Sequence, residues 1–166
     1  MRSGVLLSLV ALVVLPVVVA LVGCDAKSDY SEGDTLKQIA ENLRALQAEV
    51  QRTSGTGPEV VTCANMQLHL AQATSSGVGT AATAAATFTG VSALDATLNF
   101  AGSYVQDANG VAVTLTGQGY DDGIDRAVVL TLGNPDDEGN LSGTLQYTRG
   151  DSAYEGDIEL SPVEED

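Results

Sequence analysis

The sequence predicts a mainly β protein, a small antiparallel meander barrel or sandwich of about seven strands, preceded by a signal segment and one amphipathic helix. Two observations predict the β part. From residue 59 onward apolar and polar residues alternate with a period of two, as in strands that bury one face. Between these runs lie clusters of Asn, Asp and Gly, the residues that hairpin turns require. Such a meander closes into a barrel or folds into a sandwich around a dry interior.

The amino-terminal stretch has the three parts of a secretory signal. Met1-Arg2 is a short basic start, Val5 to Leu21 is an almost unbroken apolar run, and small residues end it. The run finishes in Leu21-Val22-Gly23-Cys24. This motif resembles the lipobox of bacterial lipoproteins, and the resemblance is confined to residues 1–24. It implies cleavage before Cys24, a diacylglycerol on the cysteine sulfur and usually an acyl chain on its amino group.

A transmembrane helix is the competing interpretation of the same run, since Val5 to Gly23 just reaches the roughly 20 apolar residues that a bilayer requires. Cys24 at the end of the run, followed directly by Asp25 and a polar segment, favours lipidation. We therefore expect Cys24 to be lipidated and to hold the protein to a lipid bilayer on the exported side of a bacterial cell envelope. In enteric-type bacteria an aspartate at this position tends to retain lipoproteins in the inner membrane. That rule is not general, so inner and outer membrane both stay open.

The composition divides the chain into a predicted series of segments. They are a signal peptide at 1–23, the lipidated cysteine and a polar tether at 24–33, an amphipathic helix at 34–53, a linker at 54–58, the β domain at 59–162 and an acidic tail at 163–166. The net charge is −15, with 22 acidic against 7 basic residues. Such acidity argues against nucleic acid as a partner, because Lys and Arg must neutralise phosphate. It agrees with a need for solubility or with life in high salt, and less directly with a cationic partner or Ca²⁺.

The helix predicted over 34–53 depends on the spacing of its apolar residues. Steps of 3, 4, 3 and 4 residues put them on one seam of a 3.6-residue period: Leu36, Ile39, Leu43, Leu46 and Val50. Asp34 can cap the first turn, and Gly55 follows the last. The seam either leans on the β domain as a stalk or pairs copies of the chain in a short coiled coil. It covers little more than two heptads, fewer than a firm coiled coil needs.

The predicted strands are identified by their apolar faces. The first runs through Val60, Met66, Leu68 and Leu70, and a weaker one of Ala and Thr covers Thr80–Thr89. The clearest begins at Leu94 and continues through Leu98 and Phe100. The remaining faces consist of Val111, Val113 and Leu115; Val128, Leu130 and Leu132; Leu141, Leu145 and Tyr147; and Tyr154, Ile158 and Leu160. Glycines on or near the inward register would allow sharp bending at barrel corners: Gly102, Gly117, Gly119, Gly143 and Gly156.

The residues available for catalysis are few. The chain has one histidine and two cysteines, and lipidation would consume Cys24. Cys63 is then a lone thiol, expected to pack as a small hydrophobe. His69 lies on the same predicted strand and face, roughly 20 Å from Cys63, too far for a thiolate–imidazole pair. We expect His69 to be an outward polar residue, and we expect no catalytic residues, no cofactor and no enzymatic activity.

A calcium loop is the one metal site that the sequence suggests. Asn134, Asp136, Glu138 and Gly139 stand at offsets 1, 3, 5 and 6, as ligands and the turn glycine do in a calcium loop. However, Leu145 occupies the position of the bidentate Glu. An ordinary acidic hairpin turn is the simpler interpretation. A second acidic turn at 121–125 would lie at the other end of the sheet, because the strand over 124–132 separates the two turns.

These observations predict a membrane-anchored envelope lipoprotein that displays a small β domain for binding or structural interaction. The alternative is a carrier whose barrel encloses an apolar small molecule or lipid. A carrier requires a cavity of a few hundred Å³, which we expect Leu94, Leu98, Leu115 and Leu130 to line. A filled interior would instead favour interaction through loops or edges.

Overall fold

A computed structural model describes residues 38–72, 80–90, 97–118 and 123–164. Their strands are β1 (Asn42–Ser54), β2 (Val60–Leu70), β3 (Thr80–Thr89), β4 (Thr97–Asp107), β5 (Gly110–Gln118), β6 (Asp125–Leu132), β7 (Leu141–Arg149) and β8 (Ser152–Pro162). Each strand pairs antiparallel with the next, and β8 pairs with β1, so the sheet closes into an up-and-down barrel. The predicted mainly β class and antiparallel meander are confirmed. Eight strands replace the expected seven.

The additional strand is β1, and it lies where the sequence predicted the helix over 34–53. That helix is wrong for the residues that the structure describes. Leu43 and Val50 point into the barrel, whereas Leu46, in the middle of the supposed seam, is 67% exposed. Within the described residues Ile39, Leu43 and Val50 are buried, so they do not form the predicted helical seam. Leu36 lies outside the described residues.

The segment 54–58, predicted as a linker, connects β1 to β2 within the barrel. The β domain therefore includes Asn42–Ser54, upstream of the predicted start at residue 59. Gly55 and Gly57 have φ angles of 82° and 146°, in the region that favours glycine. The turn residues that suggested a linker thus serve a hairpin connection.

Both β1 and β2 are irregular, and this explains why the sequence pattern predicted the wrong buried faces for them. In β1 the inward residues are Leu43 and Ala45, then Ala48 and Val50, because Leu46 and Gln47 both point outward. In β2 the inward face changes between Cys63 and Met66. Asn65 has a φ of 50°, and the β2–β3 register shifts between Ala64 and Gln67, as at a β-bulge. His69 is consequently outward while Cys63 is inward, so the expected common face is wrong.

Side chains fill the barrel interior in one continuous cluster. The predicted inward faces of β5, β6, β7 and β8 are all buried. Val60 is the exception in β2, at 44% exposure, and Leu94 lies outside the described residues. Aromatic rings fill part of the interior: Phe88 stacks on Tyr147 with centroids 3.9 Å apart and meets Phe100 edge to face at 6.1 Å. Leu98, Leu115 and Leu130 belong to the same buried cluster.

Glycines allow neighbouring strands of the sheet to approach each other closely. A Cβ added to Gly156 would collide with the Glu49 carbonyl oxygen of β1, and one added to Gly143 with the Thr131 carbonyl oxygen of β6. Strongly coiled strands of a small barrel need such close approaches. The predicted bending at these glycines stays a prediction, and Gly119 lies outside the described residues.

We expect Gly156→Ala to lower the free energy of unfolding by about 1–3 kcal/mol, because the new methyl group must push apart the two strands that close the barrel. Urea denaturation measures the loss. Gly133→Ala is the matched control, since its Cβ would have its nearest neighbour, the Ser142 carbonyl oxygen, at 3.6 Å. The control should stay within about 0.5 kcal/mol of the wild type. Equal stability of the two variants would contradict the close approach.

Candidate functional site

A groove of about 690 Å³ crosses the outer surface of β1 to β5. Two rows of strand partners form its wall. One row is Asn42, His69, Thr83, Ala101 and Thr116. The other is Arg44, Gln67, Ala85 and Asn99. We call these nine residues the outer groove. Because each row runs from strand to strand, the groove lies across the strands rather than along them.

The groove is concave because its side chains differ in length. Thr83, Ala85 and Ala101 are short and leave the backbone of β3 and β4 near the surface, so they form the floor. Arg44, Gln67 and His69 are longer and rise on the β1 and β2 side. The run of Ala and Thr that made β3 a weaker strand in the sequence thus shapes the floor of the groove.

The chemistry of the outer groove differs from that of the chain as a whole. None of the described residues that line it is Asp or Glu, although the sequence has 22 acidic residues. The outward side of β8 instead carries carboxylates, at Glu155, Asp157 and Glu159. Arg44 gives the groove a positive charge, and amide and hydroxyl groups supply both donors and acceptors. Exposed Val163 also lines the groove and adds apolar surface. The groove therefore suits a neutral or anionic ligand that has both polar and apolar groups.

His69 is a polar residue of this groove, and its expected outward position is confirmed. Its Nδ1 lies 2.9 Å from Asn42 Oδ1. In the arrangement where Nδ1–H donates to that oxygen, Nε2 keeps a lone pair that can accept a hydrogen bond. His69 thus takes part in the side-chain hydrogen bonding of the groove wall.

Cys63 is buried on the inner side of the barrel wall, as the sequence analysis expected. Burial raises the pKa of its thiol to about 12, which keeps it protonated and poorly nucleophilic at neutral pH. His69 is on the opposite side of the same wall, so the two side chains do not face each other. Cys24 lies outside the described residues.

Leu98, Leu115 and Leu130 were expected to line an enclosed cavity and do not line one, while Leu94 lies outside the described residues. A residue on the wall of a ligand-sized cavity would keep surface that a water-sized sphere can touch. Leu115 and Leu130 are 0% exposed, and Leu98 is buried as well. At the level of these leucines the described interior is occupied by protein side chains.

The turn at 134–140 is held together by the carboxylate of Asp136. Its Oδ1 accepts hydrogen bonds from the backbone N–H groups of Glu138 and Asn140, at 2.9 and 2.8 Å. Its Oδ2 accepts one from Asn140 Nδ2 at 3.0 Å. The Asn140 side chain, then the backbone N–H groups of the turn, hold the pKa of Asp136 below its ordinary value. A lowered pKa stabilises the fold above the unfolded pKa of about 3.9, and this contribution is lost as the pH falls through the folded pKa.

The other calcium candidates are also engaged within this end of the barrel. Asn134 Nδ2 donates to the Ala108 carbonyl oxygen at 3.0 Å, and Glu138 Oε2 accepts from Asn140 Nδ2 at 3.3 Å. β6 runs from Asp125 at one end to this turn at the other, as expected, whereas Asp121 and Asp122 lie outside the described residues. In the part of the chain that the structure describes, no group of three or more His, Cys, Asp or Glu is placed to hold a metal ion.

We predict that Ca²⁺ binds the full chain with no better than millimolar affinity, because an ion at 134–140 would have to displace the N–H donors of Asp136. Calorimetric titration measures this affinity. Asp136→Asn should leave the weak binding unchanged. Micromolar binding that this substitution abolishes would contradict the prediction and restore calcium as a ligand.

The described residues contain no helix that is long and apolar enough to cross a membrane. Architecture alone does not decide function either, because barrels of one shape serve unrelated roles. The outer groove is therefore the feature from which a role has to be inferred. Comparisons with protein-family models, with curated proteins and with solved structures found no match to this chain.

Proposed function

We propose that this protein is a lipid-anchored lipoprotein of the bacterial cell envelope whose barrel is a non-enzymatic binding module. In this proposal the outer groove receives an extended segment of another envelope protein. The observation that carries it is the groove itself, a concave strip on the surface of a strongly acidic chain whose lining, as far as the structure describes it, includes no carboxylate. The motif Leu21-Val22-Gly23-Cys24 supports the anchor.

Closure of the barrel supports binding in the groove rather than at a strand edge. A partner that adds a strand needs an unpaired edge, and every described strand pairs on both sides. A partner therefore has to use the outward side chains. Among these, the small floor residues Thr83, Ala85 and Ala101 permit the closest approach of another backbone.

The polar wall of the groove supports a polypeptide as the occupant. A peptide backbone presents N–H donors and carbonyl acceptors in turn. Asn42, Gln67 and Asn99 carry amides that can both donate to and accept from such a chain. Arg44 adds preference for a neutral or acidic segment over a basic one. A carrier of an enclosed apolar ligand is less well supported, because Leu115 and Leu130 line no cavity.

We predict that Cys24→Ala yields an uncleaved and unlipidated precursor, since the sulfur is both the acylation point and the signal for cleavage in the lipoprotein family that the motif resembles. Mass spectrometry and membrane fractionation measure the outcome. Cys63→Ala is the matched control, because Cys63 lies in the barrel interior. It should be processed like the wild type. Normal cleavage and membrane fractionation of Cys24→Ala would contradict the proposal that the protein is anchored through a lipid on Cys24.

We predict that Ala101→Trp prevents partner binding by filling the groove. Ala101 is an exposed floor residue, so the larger side chain should be tolerated by the fold. Ala112→Trp, at an exposed position of β5 outside the groove, is the matched control. The full chain is purified after cross-linking in its native membranes, and circular dichroism checks the folding of both variants.

The wild type and Ala112→Trp should recover the same cross-linked protein, and Ala101→Trp should recover at least about tenfold less of it, a loss that corresponds to about 1.4 kcal/mol of binding free energy. Mapping of the cross-link to an extended segment of that protein would support the proposed occupant. Equal recovery by all three chains would contradict binding in the outer groove.

A further inference from the structure

Among the described residues that line the outer groove, two can carry a positive charge, and both lie on its β1 and β2 wall. Arg44 pairs with Gln67 and Asn42 pairs with His69, so Arg44 and His69 are diagonal neighbours across the two strands. Diagonal neighbours of a sheet are about 7–8 Å apart, which leaves room for one ligand group between two long side chains. Both side chains are exposed.

Arg44 is the permanent positive charge of this wall. It has no hydrogen-bond or ion-pair partner among the described residues, whereas Arg52, further along β1, donates to the Gly57 carbonyl oxygen. A guanidinium group that is not engaged by the protein offers a carboxylate two parallel N–H donors. The groove wall therefore has one side chain ready to bind an acidic group at any pH.

His69 is a charge that depends on pH. Its Nδ1 lies 2.9 Å from Asn42 Oδ1. When Nδ1–H donates to that oxygen, the neutral ring presents a lone pair at Nε2, which a carboxylate oxygen cannot bind because both are acceptors. Protonation turns Nε2 into an N–H donor and adds a positive charge, while the bond to Asn42 stays in place. Imidazole side chains change their charge between about pH 5 and 8.

Few other ionisable groups surround His69 in the described part of the chain. β3, which pairs with β2 on one side, contains no charged residue, and the other ionisable side chain of β2 is the buried Cys63. On the β1 side the charged residues near His69 are Arg44 and the exposed Glu41, which precedes the strand. Glu164, just beyond β8, is exposed as well. Neither carboxylate lines the groove, so protonation leaves two adjacent positive charges for a ligand to neutralise.

We propose that the outer groove binds an acidic side chain of its partner segment between Arg44 and His69, and that protonation of His69 strengthens this binding at mildly acidic pH. The inference rests on the proposed function, because it concerns the same groove and the same segment. A carboxylate that prefers the protonated ring also favours protonation, so affinity rises as the pH falls. The partner's Asp and Glu side chains stay ionised at pH 5.5, since the ordinary pKa of such groups is about 4.

The test cross-links the full chain in its native membranes at pH 5.5 and at pH 8, with a light-activated reagent and at equal ionic strength. The measured quantity is the amount of the cross-linked protein whose recovery Ala101→Trp reduces. The wild type should recover about threefold more of it at pH 5.5, the effect of one added charge pair at an exposed site. Equal recovery at the two pH values would overturn the inference and leave binding in the groove intact. If Ala101→Trp recovers as much as the wild type at both pH values, the proposed function fails and this inference with it.

Two substitutions of His69 separate its charge from a structural role. His69→Gln keeps a polar side chain without a titratable group, so its recovery should no longer rise at pH 5.5. His69→Arg carries a permanent charge, so it should recover as much at pH 8 as the wild type does at pH 5.5. Weak recovery by both variants at both pH values would indicate a structural role. A rise retained by His69→Gln would assign the pH dependence to the partner, and either result would overturn the inference.

Arg44→Gln should lower recovery about threefold at both pH values, because it removes the permanent charge. Ala112→Arg is the matched control for added charge, at an exposed position of β5 outside the groove, and it should behave like the wild type at each pH. All substituted positions are exposed, and circular dichroism checks the folding of each variant. The cross-linked segment should contain Asp or Glu. A segment without either, or full recovery by Arg44→Gln, would overturn the proposal.

Discussion

The pairing of β8 with β1 is the constraint on which the other features of the molecule depend. It brings the first and last described strands together and closes the sheet. An eight-stranded barrel has an interior just wide enough for side chains to fill, which is what the buried cluster shows. Closure also removes the strand edges through which sheets often associate. Binding is thereby confined to outward side chains and to the two ends.

The strand pairing that closes the barrel is irregular, and this is where the sequence pattern was misleading. The register between β1 and β8 shifts twice, and β1 turns Leu46 and Gln47 outward in succession. A strand interrupted in this way places Leu43 and Val50 seven residues apart on the same face, which is also the spacing of a helical heptad. Alternation without interruption, as in β5 and β6, was sufficient to predict both the strands and their buried faces.

The outer groove is harder to predict, because it is made by partners on different strands. It combines residues of five strands that become neighbours only through the registers between those strands. The reversal of His69 relative to Cys63 depends on the bulge at Asn65, which has no strong local signal. The calcium-like spacing at 134–140, in contrast, was visible in the sequence, and the interpretation as an ordinary turn agrees with the hydrogen bonds of Asp136.

An even number of strands makes the chain enter and leave the barrel at the same end. The backbone N–H of Val163, just after β8, donates to the carbonyl oxygen of Asn42, the first residue of β1. The two ends of the barrel sequence are thus already joined by a hydrogen bond. A short peptide link between them would close the backbone into a ring, and the ring could be opened at the tight turn of Ala108 and Asn109. The same barrel could therefore be built by a chain that begins and ends at a different turn, with its strands in a rotated order in the gene.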